Sequence, residues 1–213
     1  MQLQLNKIMD NYIRVYDNVM SGEKCQHLIE MFETDTEHHE IQDCGSGATL
    51  TQINLLHSPD TIWRDEVRNL TNVIKNSVQQ YKRDCDIKDN QWPTKSIFEP
   101  PKIKRYMPGG QDSFPDHVDV LSYRTARRFL VAFIYLDDNE RGETVVTPKD
   151  DMFVSHCKKG SILLFPPLWP WMHTGMPPVN KPKYIVGSYL HYPCHSLNSM
   201  LYKYYYYIYA WRH

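Results

Sequence analysis

Along the first third of the chain the apolar side chains recur at two different periods. In "YIRVYDNV" (residues 12–19) they alternate with polar ones, the period of a half-buried strand. Ser21 is suited to capping a helix, and Cys25, Leu28, Ile29 and Phe32 then fall three and four apart. The segment from Thr34 to Thr51 is polar, carries His38, His39 and the glycines of "CGSGAT", and reads as a loop or an edge strand. "SPDTIWRDEVRNLTNVIKNSVQQYKRD" opens with a helix start, Ser58 as cap, Pro59 in the first turn and Asp60 behind it. Trp63, Val67, Leu70, Ile74, Val78 and Tyr81 follow as one apolar stripe on a long helix. A stripe this wide must be covered, and a sheet is the expected cover.

After "WPTKSIFEPP" the pattern changes. "KIKRYM", "RRFLVAFIYL", "ETVVT", "MFVSHC", "GSILLFP" and "KYIVGSYLHY" are short strands divided by Pro, Gly and Asp. "RRFLVAFIYL" is apolar on both alternating faces and belongs in mid-sheet with both sides covered. The order is helices first and then an all-β half, closed as a barrel or a sandwich, an α+β, mainly β class.

Composition narrows the class. A chain of 213 residues suits one domain with a real core, and a net charge of -1 provides no basic field for nucleic acid or an anionic membrane. Cys25, Cys44, Cys85, Cys157 and Cys194 are widely spaced, odd in number and without a C-x-x-C pair, which suits reduced thiols in the cytoplasm. The amino terminus has no signal-peptide apolar region, and no uncharged run is long enough to span a bilayer. The expectation is a soluble, intracellular protein.

The candidate chemistry lies in "FPDHVDVLS", where His117 and Asp119 stand two positions apart. In a strand that spacing puts both side chains on one face, able to chelate one ion. Alone the pair is as readily two solvated side chains. Downstream, His173 lies in a loop after an apolar strand, and a second histidine completes a two-His-one-carboxylate triad that holds Fe(II) and leaves positions open. Lys183, Ile185, Gly187 and Tyr189 share one face of the last strand. If that face points inward, the ammonium is buried and requires an anion, for which a dicarboxylate would serve. An exposed lysine at a strand start is the other reading.

In the order "RYMPGGQDSFPDHVD", "FIYLDDNERGETVV", "CKKGSILLFP" and "HTGMPPVNKPKYIVGSYL", the chain from Arg105 to Tyr192 resembles the iron- and 2-oxoglutarate-dependent dioxygenases, in particular their prolyl-4-hydroxylase-like branch. The resemblance implies a distorted double-stranded β-helix, a cupin-like jelly roll flanked by amino-terminal helices. It implies one domain over 1–213, with a helix-rich support to about 100, a catalytic core over about 101–193 and an aromatic tail over 194–213. By the same likeness His117, Asp119 and His173 ligate Fe(II), and Lys183 pairs with the distal carboxylate of 2-oxoglutarate. Tyr135 reaches the same carboxylate, and Tyr106 lines the mouth of the site. O2 is the other cosubstrate and ascorbate a reductant. An unactivated C–H bond, that of a peptidyl proline first, is hydroxylated with release of succinate and CO2. Two departures stand out. Phe114 replaces a common tyrosine, and "RGET" has Arg141 where the family often has glycine.

Other readings stay open at this stage. The target is a peptidyl proline, another protein side chain, a free amino acid or a small metabolite, or the chain is a non-catalytic jelly roll that binds metal or ligand. Tyr135 sits in an apolar strand and also suits the core. Arg127 and Arg128 suit a solvated strand end as well as the site. "HYPCH" lacks the second cysteine pair of a zinc site, and His38, His39 and His156 are expected to face water. The tail "LYKYYYYIYAWRH" suits either a covering segment or a sticky surface, the latter a route to a homo-oligomer.

Overall fold

The computed structural model describes residues 12–55, 62–148 and 151–193. Its elements, in chain order, begin with β1 (Arg14–Tyr16), α1 (Gly22–Thr34), β2 (Glu40–Gly45), β3 (Ala48–Asn54) and α2 (Arg64–Asp84). There follow β4 (Ile97–Phe98), β5 (Lys102–Tyr106), β6 (Phe114–His117), β7 (Arg128–Tyr135) and β8 (Asn139–Pro148). The last four are β9 (Phe153–Cys157), β10 (Ile162–Phe165), β11 (Trp171–Gly175) and β12 (Lys183–His191). Two antiparallel sheets face each other in a jelly roll. The larger runs β1-β10-β7-β12-β5-β3-β2 with β4 beside β12, and the smaller runs β6-β11-β8-β9.

The helices form where the stripes predict. Ser21 Oγ accepts from the Lys24 amide at 3.2 Å, one of the free donors of the first turn of α1. Cys25, Leu28 and Phe32 are fully buried, as are Trp63, Leu70, Ile74 and Val78 in and beside α2. The predicted helix start at Ser58, Pro59 and Asp60 lies outside the described residues; within them α2 begins after Trp63, whose indole donates to Asp35 Oδ2 at 2.6 Å.

Strand β7 explains the two-faced apolar run. Leu130, Ala132 and Ile134 pack with the helices, whereas Val131, Phe133 and Tyr135 join a second core between the sheets. The polar stretch after Thr34 resolves into the hairpin β2–β3, with β2 the outer strand of the larger sheet. The amino-terminal part thus contributes strands as well as helices to the main sheet. No helix among the described residues is long and apolar enough to cross a membrane. Cys25, Cys44, Cys85 and Cys157 are free thiols; Cys194 and the tyrosine tail lie outside the described residues.

Candidate active site

The smaller sheet brings the two histidines together. In the antiparallel register of β6 and β11, His117 is directly opposite His173, and their rings lie 4.2 Å apart between centroids. His173 is therefore on a strand and not in the loop expected from its proline-rich surroundings. The flanking prolines stop the strand at its ends without entering it, and β8 pairs along all of it. Asp119 lies just past the end of β6, so its approach to His117 comes from the chain's bend and not from strand alternation. Its amide donates to Pro167 O at 3.2 Å, which fixes that bend.

One ligand atom from each of His117, Asp119 and His173 lies within 4.8 Å of the others. His173 Nε2 is 3.2 Å from Asp119 Oδ2, and His117 Nε2 is 3.7 Å from Asp119 Oδ1. The closer contact is not aligned as a hydrogen bond, and both His173 Nε2 and Asp119 Oδ2 are buried with no hydrogen-bond partner. Orphaned polar atoms converging in this way are costly unless a cation satisfies them.

The imidazoles are set for that cation. His117 Nδ1 donates to Pro115 O at 2.7 Å and His173 Nδ1 to Trp171 O at 3.2 Å. A carbonyl can only accept, so each ring carries a proton on Nδ1 and turns Nε2 toward the other members of the triad. Burial, reinforced by the neighbouring His173, lowers the His117 pKa to about 4, which keeps the ring neutral. Burial by itself would raise Asp119, but His173, His117 and the Tyr189 hydroxyl outweigh it and bring the carboxyl to about 2. Two imidazoles and one carboxylate, with no thiolate, are the donor set of a mononuclear non-haem ferrous site.

His117 and His173 line a pocket of about 340 Å³, whose lining also includes Tyr106, Thr144, Lys183 and Tyr189. Lys183 is 1% exposed, and Nζ donates to Gly142 O at 3.0 Å and Met176 O at 3.1 Å, above the Tyr106 ring at 4.1 Å. Burial lowers its pKa to about 8, and no carboxylate among the described residues pairs with it. Tyr106 is 2% exposed, lies across from Lys183 in the β5–β12 register and lines the pocket. Tyr135 does not line the pocket. It pairs across from Ile185, and its hydroxyl donates to Ser155 Oγ on β9 at 3.1 Å.

Several contributors carry no motif. Tyr189 OH donates to Asp119 Oδ1 at 2.7 Å, orienting the carboxylate, and only its period-two relation to Lys183 pointed inward. Arg128 lies 3.9 Å from the Tyr189 ring and is held by both oxygens of Glu99 at 2.6 and 2.8 Å. Phe114 stacks on His117 with centroids 3.9 Å apart, so the departure from tyrosine replaces a hydrogen bond with ring contact. Arg141 adopts φ +59°, a left-handed conformation that glycine meets without strain, beside the Gly142 carbonyl that holds Lys183. His39, expected in water, stacks on Phe32 at 4.5 Å, and His38 bonds Asp35 at 2.6 Å.

The family model of the 2OG-Fe(II) oxygenase superfamily matches residues 101–191, the stretch that holds the triad and Lys183. This region belongs to that superfamily. The chain is accordingly a 2-oxoglutarate- and Fe(II)-dependent dioxygenase, and ferrous iron, 2-oxoglutarate and O2 are its cofactor and cosubstrates. The fold is similar to that of the viral collagen prolyl hydroxylase of Paramecium Bursaria Chlorella virus-1, solved with 2-oxoglutarate, at 18% identity and TM-score 0.55, over 84% of this chain and 95% of that one. A Pseudomonas putida prolyl-4-hydroxylase is similar at 14% identity and TM-score 0.59, over 90% and 98%. A Trichoplax adhaerens prolyl hydroxylase, solved with a hypoxia inducible factor peptide fragment, is similar at 12% identity and TM-score 0.64, over 90% and 93%. No curated protein matches the chain as a sequence relative.

Proposed function

We propose that this oxygenase hydroxylates an unactivated C–H bond of a prolyl residue in a peptide or protein. In this reading His117, Asp119 and His173 ligate the ferrous ion and Lys183 anchors the distal carboxylate of 2-oxoglutarate. The observation that carries the assignment is the meeting of orphaned His173 Nε2 and Asp119 Oδ2 next to a buried lysine that has no acid partner among the described residues. Bound there, iron with its cosubstrates supplies the oxidant for hydroxylation, releasing succinate and CO2. The chain's own residues do the rest. The Nδ1 bonds to Pro115 and Trp171 hold both imidazoles in the metal-ready tautomer, and Tyr189 keeps Asp119 turned toward them. Phe133 and Phe165 pack around His173 and exclude water from that side.

The prolyl target is supported by likeness of fold to prolyl hydroxylases, and the free thiols fit a cytoplasmic setting. Residues 1–213 are taken as one oxygenase domain with its supporting segments. The test is in two parts. Anaerobic protein with Fe(II) and 2-oxoglutarate is expected to develop a weak visible charge-transfer band, and a colourless mixture would refute the metal and cosubstrate assignment. Succinate release in air is then expected to be stimulated by proline-containing peptides more than by free amino acids; the reverse order would refute the peptidyl target.

A further inference from the structure

Lys104 has no part in the reading above, yet it faces the same pocket. It stands on β5 across from Ile185, two residues from Tyr106 on the same face of the strand, and is 7% exposed. It lines both the triad pocket and a wider adjoining cleft of about 520 Å³ that passes Asp119, Lys102 and Arg128. Its stem passes Gly187, where a Cβ would lie 3.8 Å from Lys104 Cε, an ordinary contact. Among the described residues the ammonium has no hydrogen-bond acceptor and no ion pair; its neighbour is the Phe114 ring at 5.4 Å, itself stacked on His117. The nearby acids are committed elsewhere. Glu99 holds Arg128 with both oxygens, and Asp119 gives one oxygen to Tyr189 and the other to the triad.

Charge balance shows what is missing. A ferrous ion, the Asp119 carboxylate, the 2-oxoglutarate dianion and the Lys183 ammonium are together neutral. Lys104 therefore leaves one positive charge in a mostly buried site, and burial already pulls its pKa down to about 8. A buried cation without a partner is costly, and an anionic ligand removes that cost. Lys183 lies opposite Tyr106 and lines only the triad pocket of the two, whereas Lys104 also lines the wider cleft that passes Asp119.

We propose that Lys104 is the anion anchor for the substrate, which presents a carboxylate close to the carbon that is hydroxylated. A single ammonium with a single residual charge suits a carboxylate better than a dianionic phosphate. The inference rests on the metal and cosubstrate assignment above and narrows its target to a prolyl or related residue bearing a neighbouring carboxylate.

The test uses anaerobic protein loaded with Fe(II) and saturating 2-oxoglutarate, titrated with matched acids and primary amides built on proline, other amino acids and short peptides ending in proline. Binding is read from perturbation of the visible band. The acid of at least one pair is expected to bind roughly tenfold or more tightly than its amide, as for a charge-assisted hydrogen bond. That advantage should vanish in both Lys104→Met and Lys104→Gln, with the 2-oxoglutarate requirement unchanged. Thermal melting of the metal-free variants should show no loss of stability, because the charge removed makes no hydrogen bond or ion pair with the described residues. Absence of any acid preference, its survival in the variants, or a raised 2-oxoglutarate requirement in its place would each overturn the assignment. Failure of the band itself would sink the earlier reading instead, so the two failures are distinguishable.

Discussion

Replacing Lys183 with Met keeps the stem packed over the Tyr106 ring and removes only the cation. Folding lowers this pKa from 10.5 to about 8, a cost of about 3 kcal/mol when the ammonium is buried without an anion. The sign follows from proton counting. Between those two values the unfolded chain holds the extra proton, so the cost is complete below pH 8 and fades as pH rises toward 10.5. Without cosubstrate the variant sheds that cost but leaves the Gly142 and Met176 carbonyls without their donor, so its melting temperature should stay near that of the wild type. With cosubstrate the balance differs. Loss of a charge-assisted bond to the distal carboxylate costs about 2–3 kcal/mol, so the 2-oxoglutarate concentration giving half the visible band should rise roughly 30- to 150-fold. Wild-type affinity should also fall above pH 8, by up to about tenfold per pH unit, as the free lysine loses its proton, whereas the Met variant should be flat over that range. An unchanged half-saturation in Lys183→Met, or the same pH slope in both proteins, would refute the anchoring role.

Further outcomes concern the triad and its support. His173→Ala removes a proposed ligand that is 1% exposed and should abolish both the visible band and 2-oxoglutarate turnover; a band of normal intensity would contradict the ligand set. Tyr189→Phe deletes the hydroxyl that donates to Asp119 Oδ1 and should weaken Fe(II) binding by about tenfold, measured by anaerobic titration, while the circular dichroism spectrum stays unchanged. Arg141→Gly relieves a residue held at φ +59° and should stabilise the fold by about 1 kcal/mol, seen as a small rise in melting temperature. A drop would mean that the Arg141 side chain contributes more than its backbone strain costs.

The elements whose local period is strong were legible in the chain. The helical stripe from Trp63 to Tyr81 and the two-faced run of β7 both state which sides must be buried, because apolar periodicity and burial are the same physical demand. His117, Asp119, His173 and Lys183 could be singled out by residue type and order. Segments whose structure depends on partners were less legible. The polar hairpin β2–β3 and the proline-flanked β11 are held by pairing with distant strands, and propensity carries no signal for that pairing.

By itself the sequence determined the class of fold, the candidate ligands and the inward face of the last strand. Tertiary structure alone decided that His117 and His173 pair across two strands 56 positions apart, that Tyr135 turns to Ser155, and that Tyr189 and Lys104 enter the site. The reason is physical. Periodicity tells which side of an element avoids water, but only the closing of the two sheets determines which buried polar atoms meet and which are left without a partner.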